Sequence, residues 1–161
     1  MRQGWPKYAL RSVYRTPLDN GIAIGAFVPV RVQLSTSSVL LLSTDYPFED
    51  TVTVLLTNLP KETPLRIRVP GWAVKATALL NGKAVPSGKV KNGTMLRVAC
   101  PAHKLLCNLT LSLNPEIRTE SFYGSSVSVL RGPLLFSLQI GHEFTKYEGC
   151  APTRPGSVGK K

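Results

Sequence analysis

The stretch STDYPFEDTVTVLL, Ser43 to Leu56, sets Asp45, Glu49 and Asp50 around a Tyr-Pro-Phe corner. Two carboxylates held roughly 5 to 9 Å apart can divide acid and nucleophile roles in glycoside hydrolysis. The same groups can also bond to the amides of a turn and end a strand, and Pro47 favours an extended Tyr46. A second cluster is CPAHKLLC, where Cys100, His103 and Cys107 supply soft and imidazole donors at a spacing that suits zinc, although a fourth ligand is missing. In the alternation that follows, Cys107 falls in phase with Leu109, Leu111 and Leu113, which makes it a small core residue. Cys150 is the third cysteine; an odd count without a C-x-x-C pair gives no disulfide framework. His142 beside Glu143 has no partner at a recognisable catalytic spacing and reads as an exposed histidine. Asn92-Gly93-Thr94 and Asn108-Leu109-Thr110 match the N-glycosylation sequon. Trp5, Trp72 and Tyr46 are the aromatic residues that could stack on a sugar, but Trp72, next to a Pro-Gly corner, also suits the edge of a core.

Any such site needs a frame, and the periodicity supplies one. Ile22, Ile24, Ala26, Val28, Val30, Val32 and Leu34 share the even positions of one extended ribbon, with Pro29 as its bend. Further alternating runs at Thr51 to Leu56, Thr94 to Ala99 and Leu105 to Leu113, among others, are each fenced by turn residues. Asn81-Gly82 in LLNGKAV predicts a type I′ hairpin. Only WPKYALRSVYR looks helical, with Leu10, Val13 and Tyr14 at i, i+3 and i+4. The expected fold is therefore all-β, an antiparallel sandwich over residues 19–145. A helical segment precedes it over 1–18 and a flexible tail follows over 146–161.

Composition narrows the function classes. The 161 residues carry a net charge of +11 and 43% hydrophobic residues, enough for a packed core. Lys and Arg are dispersed along the chain rather than gathered in a stripe, which argues against nucleic-acid binding. No run of 18 apolar residues is long enough for a membrane-spanning helix. The first residues lack the apolar core of a secretory signal, so at face value the chain reads as intracellular with reduced thiols, although its compartment is not fixed.

STDYPFEDTVTVLL, PLRIRVPGWAVKATALLNGKAV and SVSVLRGPLLFSL, in that order, resemble the β-sandwich region of glycoside hydrolase family 127. The chain resembles that β-L-arabinofuranosidase-like family from LDNGIAIGAFVPVRV to about Lys146. The resemblance implies that an (α/α) barrel, with a zinc-bound cysteine nucleophile and glutamate partners, belongs to the family but not to this chain. It assigns no catalytic, cofactor or metal residue here, and zinc is expected only in the absent barrel. It makes the DYPFED carboxylates structural and the segment from Trp5 to Arg15 a remnant of the last barrel helix. LSLNPEIR, with Asn114-Pro115, and the tail depart from the family pattern. The expected role is a non-catalytic module supporting a barrel, inactive alone and prone to self-association. An independent carbohydrate-binding sandwich, with Trp5, Trp72 or Tyr46 on one rim, is the second reading, and a basic nucleic-acid-binding domain the third.

Overall fold

A computed structural model describes residues 4–102, 106–121, 127–138 and 141. A short helix, α1 (Gly4–Leu10), leads into thirteen strands among these residues. β1 (Val13–Thr16), β2 (Gly21–Ile24), β6 (Thr63–Arg68) and β9 (Met95–Cys100) form one sheet in the order β1-β2-β6-β9. β3 (Val30–Gln33), β4 (Val39–Thr44), β5 (Thr51–Thr57), β10 (Leu106–Ser112), β7 (Thr77–Leu80) and β8 (Lys83–Ala84) form a second, in the order β3-β4-β5-β10-β7-β8. A third, smaller sheet holds β11 (Ile117–Ser121), β12 (Val127–Arg131) and β13 (Leu134–Phe136). All pairings are antiparallel except β2 with β6.

Register explains how alternation becomes a core. In the six-stranded sheet Leu42, Val54 and Leu109 lie side by side across β4, β5 and β10, as do Leu40, Leu56 and Cys107. In the four-stranded sheet Ile22, Leu65 and Val98 form one row and Ile24, Ile67 and Leu96 another. These side chains belong to a single buried cluster, so the two larger sheets stack face to face as a β-sandwich. Each fully buried Leu, Ile or Val contributes roughly 1.5–3 kcal/mol through removal of its apolar area from water.

Three expectations from the sequence are corrected. The even-phase ribbon from Ile22 to Leu34 is two strands in different sheets, because the chain leaves β2 at Gly25 and re-enters as β3 beyond Pro29. Phe27, an odd position, is the residue buried in that crossing. The helical stripe ends at Leu10, which is 80% exposed; Val13 and Tyr14 are in β1, where pairing Val13 with Ile24 extends the sheet. Tertiary pairing outweighs the weak helical preference of so short a segment. Thirdly, Cys100 and Cys107 form a disulfide, so the reading without disulfides fails. Spacing alone gave no pairing for them. Cys100 ends β9 in one sheet and Cys107 lies in β10 of the other, so the bridge joins the two layers.

The expected hairpin is present. Asn81 and Gly82 both take positive φ, 50° and 78°, and Leu80 pairs with Lys83. The Asn81 amide donates to the Asn108 carbonyl (2.7 Å), and the Asn108 amide donates to Asn81 Oδ1 (2.8 Å), which ties the turn to β10.

Closing a loop with a sequence separation of 7 reduces the entropy of the unfolded chain. Replacing Cys100 and Cys107 together by Ala should lower the urea-derived stability by about 2–3 kcal/mol. Alkylation of the denatured, unreduced chain followed by peptide mass mapping should leave both cysteines unmodified; labelling of either would contradict the bridge.

Candidate functional site

The DYPFED corner is built from backbone and hydroxyl groups. The Phe48 and Glu49 amides donate to the Asp45 carbonyl (2.9 and 3.2 Å), and the Tyr46–Pro47 bond is cis. Thr44 Oγ1 accepts from the Tyr46 amide (3.1 Å) and donates to the Thr51 carbonyl (2.9 Å), closing the loop between β4 and β5. Turn amides are thus capped by Thr44 and by main chain, where the sequence had pointed to carboxylates. Asp50 pairs with Arg131 of β12, and its carbonyl accepts from the Leu113 amide (2.8 Å). The Arg131 pair ties the small third sheet to the sandwich, and the Leu113 bond extends the β5–β10 ladder. Trp72 supports the same junction: a Cβ placed on Gly132, which has a φ of 57°, would lie 3.1 Å from the indole.

A second polar cluster escaped the sequence reading. Asp19, in the turn between β1 and β2, pairs with Arg66 of β6, accepts from Thr16 Oγ1 (2.6 Å) and the Gly21 amide (3.2 Å), and lies 3.4 Å from Arg97 of β9. One carboxylate therefore joins the β1–β2 turn to both other strands of the four-stranded sheet. Its hydrogen bonds from Arg66 and Thr16 hold its pKa well below the usual carboxylate range. Gly21 makes this approach feasible, since a Cβ there would meet the Pro64 carbonyl oxygen at 2.7 Å and Arg66 at 2.9 Å. The sequence signal was Thr16 followed by Asp-Asn-Gly, a turn with its own side-chain acceptor.

A cavity of about 540 Å³ opens between α1 and the end of the sandwich. Lys7, Arg11 and Arg68 bring three cations to it, and Tyr8, Tyr14, Phe27, Tyr46 and Trp72 supply aromatic surface. Phe27 and Tyr46 meet edge to face with ring centroids 5.2 Å apart. Burial, and secondarily Tyr8, push the Tyr46 hydroxyl pKa upward, so it stays a neutral donor through the physiological range. Lys7 and Arg68 are 61 positions apart and read as dispersed in the sequence; folding brings both to the lining of this cavity. None of Asp45, Glu49 and Asp50 lines this cavity.

The remaining expectations divide clearly. The disulfide removes Cys100 and Cys107 from the thiolate donors that zinc would need; Cys107 is buried as its phase predicts, and Cys100 is buried with it. His103, His142, Glu143 and Cys150 lie outside the described residues, as does the side chain of Trp5. Among the described residues no group of three His, Cys, Asp or Glu side chains converges as a metal site, and no helix is long and apolar enough to cross a membrane.

The strand order and the single core shared by the two larger sheets define this unit as a β-sandwich module. The GH127 middle-domain model of β-L-arabinofuranosidases matches residues 21–104, just over half of the chain, and the chain belongs to that family. Three solved structures are similar. One described as a glycoside hydrolase is 25% identical, with a TM-score of 0.59, over 71% of this chain and 21% of that one. A GH127 β-L-arabinofuranosidase from Geobacillus stearothermophilus T6 is 18% identical, with a TM-score of 0.62, over 78% and 21%. A further GH127 β-arabinofuranosidase is 15% identical, with a TM-score of 0.58, over 73% and 22%. The chain thus spans about a fifth of each of these proteins. No curated protein sequence matches it.

The Asp19 cluster has a defined pH signature. A carboxylate with a depressed native pKa stabilises fully above its unfolded value of about 3.9, and that contribution is lost as pH falls through the native value. Asp19→Asn should lower the urea midpoint at pH 7, and the gap from wild type should narrow only below about pH 4. Urea melts from pH 7 to pH 2 test this; a gap unchanged across that range would contradict a charge-based role.

Proposed function

We propose that this chain is a non-catalytic β-sandwich that supports an (α/α) barrel in a β-L-arabinofuranosidase-like glycosidase. The observation that carries the proposal is the uncovered apolar surface of the third sheet. Ile117, Val127, Leu135 and Phe136 are 72%, 61%, 68% and 53% exposed, and Leu138 beyond β13 is 86% exposed. An isolated module gains nothing from so much exposed apolar area, whereas a module inside a larger protein buries it against a neighbour. Asp50 is engaged by Arg131 and Asp19 by Arg66, which is how acid groups serve a scaffold.

Two measurements test this. Sedimentation velocity should show concentration-dependent self-association that weakens when Val127 and Phe136, which share one face of the third sheet, are both replaced by Ser. A clean monomer across a wide concentration range would contradict the uncovered-face argument. Hydrolysis of an aryl β-L-arabinofuranoside should stay at background in the wild type and in the D45N/E49Q/D50N variant. That variant should lose on the order of 1 kcal/mol or less in urea, mainly through Asp50. Turnover by the wild type that disappears in the variant would make the acid group catalytic.

The aromatic cavity favours a second reading, a carbohydrate-binding sandwich, because Tyr46 and Trp72 line it together with Lys7, Arg11 and Arg68. Aromatic faces with cations suit an acidic saccharide better than a neutral one. Tryptophan fluorescence titration with an oligouronide should then show saturable, salt-sensitive binding, reduced at least tenfold in Arg68→Ala. Equal response to a neutral oligosaccharide, or none to either, would count against this reading.

A further inference from the structure

The two Asn-x-Thr sequences have different surroundings. Asn92, Gly93 and Thr94 are all exposed and form the turn that leads into β9. Gly93 takes a φ of 73° and its amide donates to the Val69 carbonyl (2.9 Å). Asn92 Nδ2 donates to the Gly71 carbonyl (2.9 Å), and Thr94 Oγ1 turns back to donate to the Lys91 carbonyl (2.7 Å). The sequon therefore stands out from the surface with its amide nitrogen and hydroxyl on a tight turn.

Asn108 stands in β10, in register with Leu55 of β5 and tied by its backbone to Asn81 at the β7–β8 hairpin. Its Oδ1 is buried, and the residue between it and Thr110, Leu109, is fully buried in the core. A branched sugar on this side chain would have to pass between neighbouring strands of the largest sheet.

The disulfide supplies an independent observation. Cys100 and Cys107 are 0% and 2% exposed, and such a bridge closes and persists in oxidising compartments such as the secretory lumen. Attachment of oligosaccharide to Asn-x-Thr takes place in that same class of compartment.

We propose that the chain matures in an oxidising secretory compartment and carries an N-linked glycan at Asn92, while Asn108 stays unmodified in the folded protein. The donor is a lipid-diphosphate-linked oligosaccharide. Asn92 Nδ2 forms a bond to C1 of its first sugar, the bond from C1 to the diphosphate oxygen breaks, and the lipid diphosphate leaves with that electron pair. One amide proton is released to a base of the transferase. Nδ2 keeps its other hydrogen, so the bond to the Gly71 carbonyl survives modification. The glycan then projects from the turn before β9, beside Gly71 of the loop that precedes Trp72.

The test is to express the full chain behind a cleavable secretion signal in a eukaryotic host and to map the secreted protein by peptide mass spectrometry. Peptide-N-glycosidase treatment should convert Asn92 to Asp in the wild type and shift mobility by one glycan. The shift should be lost in N92Q and in T94A and kept in N108Q. A secreted, disulfide-closed chain with Asn92 unmodified would overturn the proposal, as would a glycan on Asn108 alone. Because the wild-type peptide map locates the sugar directly, the outcome stands even if a variant fails to fold.

Discussion

The structure depends on one shared apolar layer, which the two larger sheets can form only if their strands keep phase. Rows such as Leu42, Val54 and Leu109 meet rows such as Ile24, Ile67 and Leu96, and a one-residue slip in any strand would turn its buried set toward water. Polar and covalent devices are placed where this layer needs fixing. The Cys100–Cys107 bridge joins the sheets at the β9–β10 connection, Asp19 holds the β1–β2 turn to β6 and β9, and Asp50 holds the third sheet. Much of the conspicuous chemistry of the chain is thereby occupied in positioning strands.

Strands with one buried face were legible in the sequence, because alternation there is dictated by the core. β5, β9 and β10 follow it residue by residue, and the Asn81-Gly82 turn follows from its demand for two positive φ angles. Legibility failed where the partner of a segment is distant in the chain. Nothing local shows that the ribbon beyond Gly25 changes sheets, or that Val13 gains more by pairing with Ile24 than by staying helical. Cys107 was placed correctly in the core by its phase. Its bridge to Cys100 was missed because pairing depends on how the two sheets stack, a property of the tertiary fold. The cavity was missed for the same reason, since its cations come from α1, from the turn that follows it and from β6. The resemblance to family 127 rested on several motifs in order, and the family match over residues 21–104 bears it out.

The charge of +11 acquires a structural interpretation once the fold is known. Arg66, Arg97, Arg131 and Lys75 face carboxylates, while Lys7, Arg11 and Arg68 meet around aromatic rings. Four basic residues therefore act as struts, and three others line one cavity. The exposed apolar residues of β11–β13 are the other marked feature of the surface.

The central claim is that the two stacked sheets form one cooperative unit on which the turns, the third sheet and α1 depend. Native-state hydrogen exchange resolved by residue tests it most directly. The account predicts that amides of β4, β5 and β10 and those of β6 and β9 share the highest protection and open together, while α1 and β11–β13 exchange through smaller openings. Independent opening of the two sheets, or the highest protection in the third sheet, would contradict it.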